Sequence, residues 1–191
     1  MPIELYERAW SMLSHAVIDR RSPFHLGNIA TIGVDGRPKV RTVVLRAADE
    51  ASRTIRFHTD GRSQKVRELA ANPFVEAHFY DQPANIQIRL SGVATVEGTD
   101  QPTARQAWAE AKAMSKVCYR LDAGPGSELA AGDGYGYLPY QADGVDPGEV
   151  HFRTVIIKVD RIEVVVLKIN ANRRAVFDMG DDGAKGRWVV P

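Results

Sequence analysis

Cys118 is the only cysteine among 191 residues, so no intrachain disulfide can form and a zinc site built on thiolates has no ligands. A reducing, cytoplasmic setting is the expectation. Charge of one sign is also lacking. The 25 lysines and arginines stand against 24 aspartates and glutamates, so any anion site must be local rather than a property of the whole chain. Long apolar runs are missing too, and nowhere do the roughly 20 successive apolar residues needed to span a bilayer occur. The first 21 residues include Glu4, Glu7, Arg8 and Asp19, without the basic start and unbroken apolar stretch of a secretion signal. Neither export nor membrane insertion is expected.

The histidines, His15, His25, His58, His78 and His151, are scattered without metal-ligand spacing, so no metal is expected. No Ser/His/Asp or Cys/His constellation is legible, which leaves the catalytic residues unknown. The run Gly132-Asp133-Gly134-Tyr135-Gly136 does not stand between a strand and a helix and is not a dinucleotide fingerprint. Arg62, Lys65 and Arg67 lack the interleaved aromatics of a nucleic-acid surface.

What is present reads as a strand-rich chain with a few helices. Leu5, Ala9, Met12, Leu13, Ala16 and Val17 recur at helical spacing and predict an amphipathic N-terminal helix. Branched residues at 26–34 and 39–46 flank Asp35-Gly36, a strong hairpin signal. A strand follows at 54–59. Asp60-Gly61 ends it, and a helix carrying Val66, Leu69 and Ala70 runs to Asn72-Pro73. Strands are predicted at 74–80 and 85–97, one helix at 102–116, strands at 150–159 and 161–167, and short closing strands at 175–177 and 187–190. Between them, 122–148 is rich in Gly, Pro and Tyr and reads as a long functional loop or lid, with Tyr135, Tyr137 and Tyr140 as its anchors or as a ligand cover. Antiparallel strands in this number suggest a closed or nearly closed barrel, which leaves few exposed edges. A single domain over 1–191 is expected.

Two segments carry chemistry. In 57–69, a strand ends, a glycine turn follows and a helix begins beside Thr59, Arg62, Ser63 and Lys65. Orphan N–H groups, hydroxyls and cations there form a plausible anion cradle, although an ordinary capped helix with solvated cations fits the same residues. Arg41-Thr42-Val43-Val44-Leu45-Arg46 is an apolar strand bracketed by arginines that alternation sends to opposite faces. A phosphate is one partner for such an arginine, and water at the strand end is another.

In their order and spacing, Ile29-Ala30-Thr31-Ile32, Asp35-Gly36-Arg37-Pro38, the 41–46 strand, the 59–69 segment with Asn72-Pro73, and Gln87-Ile88-Arg89-Leu90-Ser91-Gly92 resemble the pyridoxamine 5'-phosphate oxidase-like family, in its branch of uncertain substrate. The resemblance implies a mainly β fold with flanking helices, the antiparallel split β-barrel that binds FMN. It implies FMN contacts at positions matching Arg41, Thr42, Val43, Val44, Arg46, His58, Thr59, Ser63 and Lys65, with Arg62 a participant and Gln87 reaching the flavin from a neighbouring strand. It also implies a homodimer with flavin at the interface. The activity implied is that of an FMN-dependent oxidoreductase with an unknown small-molecule electron donor. A non-catalytic flavin-binding or flavin-sensing module is the alternative. Oxidases of this family carry an Arg-x-His pair and a tryptophan near the C-terminus, a lysine where Arg46 stands, and Tyr and Arg in the second helix where this chain has Ala107-Trp108 and Ala111. The histidine and the tryptophan are missing from 162–177, so oxidation of vitamin B6 is not expected.

Overall fold

The computed structural model describes residues 2–140, 144–169 and 171–191. Helix α1, Ile3–Ile18, buries Leu5, Tyr6, Ala9, Trp10, Leu13 and Ala16 along one stripe, as the 3.6-residue period requires. Strands β1, Leu26–Ile32, and β2, Pro38–Val44, form the hairpin expected around Asp35-Gly36. Gly36 lies at φ +75°, a left-handed conformation that a side chain there would strain. After the short β3, Ala47–Asp49, strand β4 runs Thr54–Asp60 and leads into helix α2, Gln64–Ala71. Strands β5, Phe74–Asp81, and β6, Ile86–Glu97, follow, then helices α3, Pro102–Glu110, and α4, Ala113–Lys116. The chain closes with β7, Phe152–Val166, β8, Arg173–Gly180, and β9, Gly183–Val189.

All pairings are antiparallel, in the order β2-β1-β5-β6-β7-β4-β3, with the β8–β9 hairpin branching from β7. The sheet curls into a half-barrel with flanking helices. Its core joins α1 to the inner faces of the strands through Trp10, Phe24, Phe57, Phe79 and Phe177. A smaller cluster lies under α3, where Trp108 and Tyr119 pack on Phe152 with ring centroids 5.2 and 5.1 Å away.

Three expectations need correction. The helix predicted over 102–116 is broken, because Ala111 and Lys112 adopt extended backbone, with ψ 133° and 145°. The break lets Trp108 and Tyr119 reach the same ring of Phe152. The strands predicted at 150–159 and 161–167 are one strand, β7, which pairs with β4 through 152–158 and with β8 through 161–166. Asp160 breaks the apolar pattern as a bulge rather than as a turn, since Ser91 faces Arg161 and Gly92 faces Val159. Gly92 is required at this point. A Cβ there would lie 2.3 Å from the Lys158 carbonyl oxygen. The closing strands also exceed the predicted three or four residues, because β8 and β9 pair along their length. The 122–148 segment holds no helix or strand among its described residues, and 141–143 lie outside them.

Candidate functional site

Strand β4 separates two polar sites, and its alternation sends consecutive residues to different sides. On the core side, Thr59 meets the start of α2. Its hydroxyl accepts a hydrogen bond from Lys65 Nζ at 3.0 Å and lies 3.2 Å from Ser63 Oγ. Ser63 is the N-cap of α2, yet its buried hydroxyl makes no capping bond and faces Thr59 instead. Arg41 approaches from β2. Its guanidinium donates to Thr31 Oγ1 and to Glu68 Oε2, and Thr31 donates to the same carboxylate oxygen at 2.6 Å. Glu68 is wholly buried, so Arg41 is fixed by the fold rather than free to reach water. Burial and the charge of Arg41 push the Lys65 ammonium below its ordinary pKa.

This donor set fits a phosphate. The Lys65 ammonium and two hydroxyls stand together at the positive end of an eight-residue helix, and one turn further along it Arg41 pairs with the buried Glu68 carboxylate. Thr59, Ser63 and Lys65 are brought together by hydrogen bonds, while Arg41 is tied to Thr31 and Glu68 and acts on Lys65 through its charge. Thr31 and Glu68 were not singled out, although Thr31 lies diagonally across the hairpin from Arg41, on the same face.

Other expected residues lie elsewhere. Arg46 is not part of the strand, because β2 ends at Val44. Its N–H donates to the Arg56 carbonyl at 2.8 Å, and its side chain joins the second site. Arg62 is committed to Asp60 and to the Leu121 carbonyl. Thr42 faces outward and donates to Asn28 Oδ1 at 2.9 Å, whereas Val43 packs against the core. Gln87 alternates with the buried Ile86 and Ile88, and so lies on the outer face of the sheet, away from the cradle.

On the other side of β4, Arg56 and His58 line a cavity of about 330 Å³ with Arg20, Arg46, Ala107, Lys112, Ser115, Tyr119 and Phe152. Its four cationic side chains oppose the single carboxylate of Glu110. The imidazole of His58 stands edge-on to Phe152 at 4.8 Å. Burial, then the charges of Arg56 and Arg46, push its pKa down to about 3, so the ring is neutral at physiological pH. Unfolding restores a pKa near 6.5, so the unfolded state takes up a proton first as the pH falls. Stability should therefore drop between about pH 6.5 and 3, by up to about 1.4 kcal/mol per pH unit. Denaturant melts of the native protein and H58Q check this. The variant should show a shallower acid slope, and equal slopes would contradict a buried neutral imidazole.

Among the described residues, no three His, Cys, Asp or Glu side chains come close enough to hold a metal. No helix there is long and apolar enough to cross a membrane.

Residues 7–98, which contain the whole phosphate-shaped cradle, match the family described as pyridoxamine 5'-phosphate oxidase, FMN-binding domain. Residues 7–98 belong to the pyridoxamine 5'-phosphate oxidase-like family. FMN is the cofactor of the matched domain. The chain is 36% identical over 121 residues to pyridoxine/pyridoxamine 5'-phosphate oxidase 2 of Arabidopsis thaliana, a match covering 58% of this chain and 60% of that protein. It is 38% identical over 89 residues to a pyridoxine/pyridoxamine 5'-phosphate oxidase of Myxococcus xanthus, covering 47% of this chain and 39% of that one. These matches therefore span less than two thirds of either relative. In fold, the chain is similar to a pyridoxamine 5'-phosphate oxidase-related, FMN-binding protein of Nostoc punctiforme, with a TM-score of 0.80 and 20% identity over 97% of both chains. PhzG of Burkholderia lata, crystallised with tetrahydrophenazine-1-carboxylic acid, has a TM-score of 0.71 and 20% identity, over 100% of this chain and 92% of that one. These solved structures share the half-barrel fold, and the matched residues 7–98 include those of the cradle. The α3–α4 wall and Phe152 of the cationic cavity lie outside the matched residues.

Proposed function

We propose that the protein is an FMN-dependent oxidoreductase. The grouping of Thr59, Ser63 and Lys65 at the start of α2, with Arg41 held nearby on Glu68 of the same helix, carries this reading. In it, Lys65 and Arg41 neutralise the FMN phosphate, Thr59 and Ser63 donate hydroxyl hydrogen bonds, and Glu68 with Thr31 keeps the guanidinium in place. The backbone of β2 from Arg41 to Val44 meets the edge of the ring system. FMN, when bound, supplies hydride acceptance, so the protein's task is to orient the donor and exclude water.

The donor occupies the cavity beyond β4. Four cations around an aromatic wall suit a planar anion, with Arg46 and Arg56 holding its negative group and Phe152 and Tyr119 its ring. The curated relatives are oxidases of pyridoxine and pyridoxamine 5'-phosphate, and those vitamers belong in the panel of donors to be tried. Gln87 can meet a flavin in this cradle only if a second copy presents it, because within one chain it faces the other way. The working unit proposed is accordingly a homodimer.

The test is a purified protein that is yellow, releases FMN on denaturation, and bleaches anaerobically when a donor is added. A colourless protein without FMN affinity would sink the reading. Failure to bleach with B6 vitamers, aromatic carboxylates or reduced nicotinamides would leave a flavin-binding module instead. Among donors that do bleach it, anionic ones should outcompete neutral analogues, and R46A should reduce that preference roughly ten-fold, the loss of one charge-assisted contact. An unchanged preference would remove Arg46 from the donor site.

A further inference from the structure

Arg62 lies in the turn between β4 and α2, three residues from Lys65, and every contact of its guanidinium looks away from the cradle. Its backbone N–H and Nε donate to Asp60 Oδ1 at 2.8 and 3.0 Å, and Nη2 donates to Asp60 Oδ2 at 2.7 Å. The remaining arm, Nη1, donates to the Leu121 carbonyl at 2.8 Å. Leu121 immediately precedes the 122–148 segment and pairs with Tyr137 within it. The same base is closed by Leu138 N–H to the Arg120 carbonyl at 2.7 Å and by the two-pronged Arg120–Asp146 ion pair, at 2.9 and 2.6 Å. Gly124 lies against the Arg62 stem so closely that a Cβ there would stand 2.8 Å from Arg62 Cβ.

We propose that Arg62 is a positioning residue that clamps the 122–140 part of the loop to the turn between β4 and α2, so that occupancy of the cradle and order of that part are coupled. The proposal rests on the FMN reading of the cradle. Asp60 orients the planar fork, and the fork holds a carbonyl 59 positions away in sequence. FMN held by Thr59, Ser63 and Lys65 stiffens this turn, and Arg62 passes the stiffening to the loop base. Linkage makes the effect reciprocal, so whatever factor FMN contributes to loop order, an ordered loop contributes to FMN affinity.

The loop contains no lysine or arginine but presents the exposed Leu129, Tyr135 and Tyr137, so chymotrypsin reads its order. In the native protein, saturating FMN should slow loop cleavage at least ten-fold. In R62A the protection should fall to two-fold or less, and FMN should bind roughly ten-fold more weakly. R62K should behave like R62A, because one ammonium cannot hold both Asp60 oxygens and the Leu121 carbonyl. G124V, which wedges the loop from the Arg62 stem without touching the cradle, should lose protection as well. The informative quantity is the ratio of cleavage rates with and without FMN. A residue that merely held the loop would raise both rates and leave the ratio unchanged. Native-like ratios in R62A or G124V would overturn the coupling while FMN binding stood. Native protein that fails to quench FMN fluorescence would overturn the cofactor reading itself, and the coupling with it.

Discussion

K65A should bind FMN on the order of 10- to 100-fold more weakly than the native protein while the FMN-free fold melts at the same temperature. One charge-assisted hydrogen bond in a shielded site contributes about 1.5–3 kcal/mol, and each 1.36 kcal/mol is a factor of ten. The fold loses less, because burial and the charge of Arg41 both disfavour the Lys65 ammonium, against the Thr59 hydroxyl bond and the charges of Asp60 and Glu68. The same crowding predicts a pH dependence. The free protein holds Lys65 at a depressed pKa, and a bound dianion raises it, so binding takes up a proton in the interval between the two. FMN affinity should then fall as the pH climbs through the depressed value and should be flat below it. K65R should abolish that alkaline decline, since a guanidinium does not titrate there. Fluorescence titration of FMN at several pH values decides the matter, and identical profiles for the native protein and K65R would remove Lys65 from the phosphate.

R41A should behave differently, weakening both FMN binding and the fold. The Arg41 side chain is mostly buried and pairs with a Glu68 carboxylate that has no exposure to water. Taking one member from such a pair leaves an uncompensated charge and costs about 3–5 kcal/mol. For a chain of this length that lowers the melting temperature on the order of 10 °C. The double variant R41A/E68L should regain much of the lost stability and none of the lost affinity, because it removes the stranded carboxylate without restoring a cation. Thermal melts of the FMN-free proteins, set beside FMN titrations, separate the two effects. Unchanged melting of R41A would mean that Glu68 finds another partner or a proton.

The contrast between these two cations also shows what a linear sequence can disclose. The hairpin at Asp35-Gly36 and the helix after Asp60-Gly61 depend on residues within a few positions of one another, and both were legible, whereas the strand carrying Arg41 stops at Val44, short of Arg46. The grouping of Thr59, Ser63 and Lys65, which one turn holds together, was legible too. The partner of Arg41 was not, although Glu68 stands three residues from Lys65, because only the packing of α2 against β1 joins them. Arg62 looked like a phosphate ligand for the same reason. Its neighbours in sequence are cradle residues, but Leu121 captures its free arm. The break at Ala111-Lys112 carries no Pro or Gly to announce it and arises from aromatic packing on Phe152. Hardest of all was the cationic cavity, whose charges come from positions 20, 46, 56 and 112. No window of sequence contains them together. The family match, ending at residue 98, stops short of its α3–α4 wall.

His58 and Thr59 are neighbours in β4 that serve different sites, one beside Phe152 and one beside Lys65. A strand has only two sides, so inserting or deleting one residue before His58 would exchange the occupants, turning an imidazole towards the ammonium and a hydroxyl towards the aromatic wall. The hydrogen-bond ladder to β7 would tolerate the slip, and neither site would. A length change in this stretch should therefore be tolerated only in the 50–53 turn, where the added or lost residue can be absorbed before the strand begins.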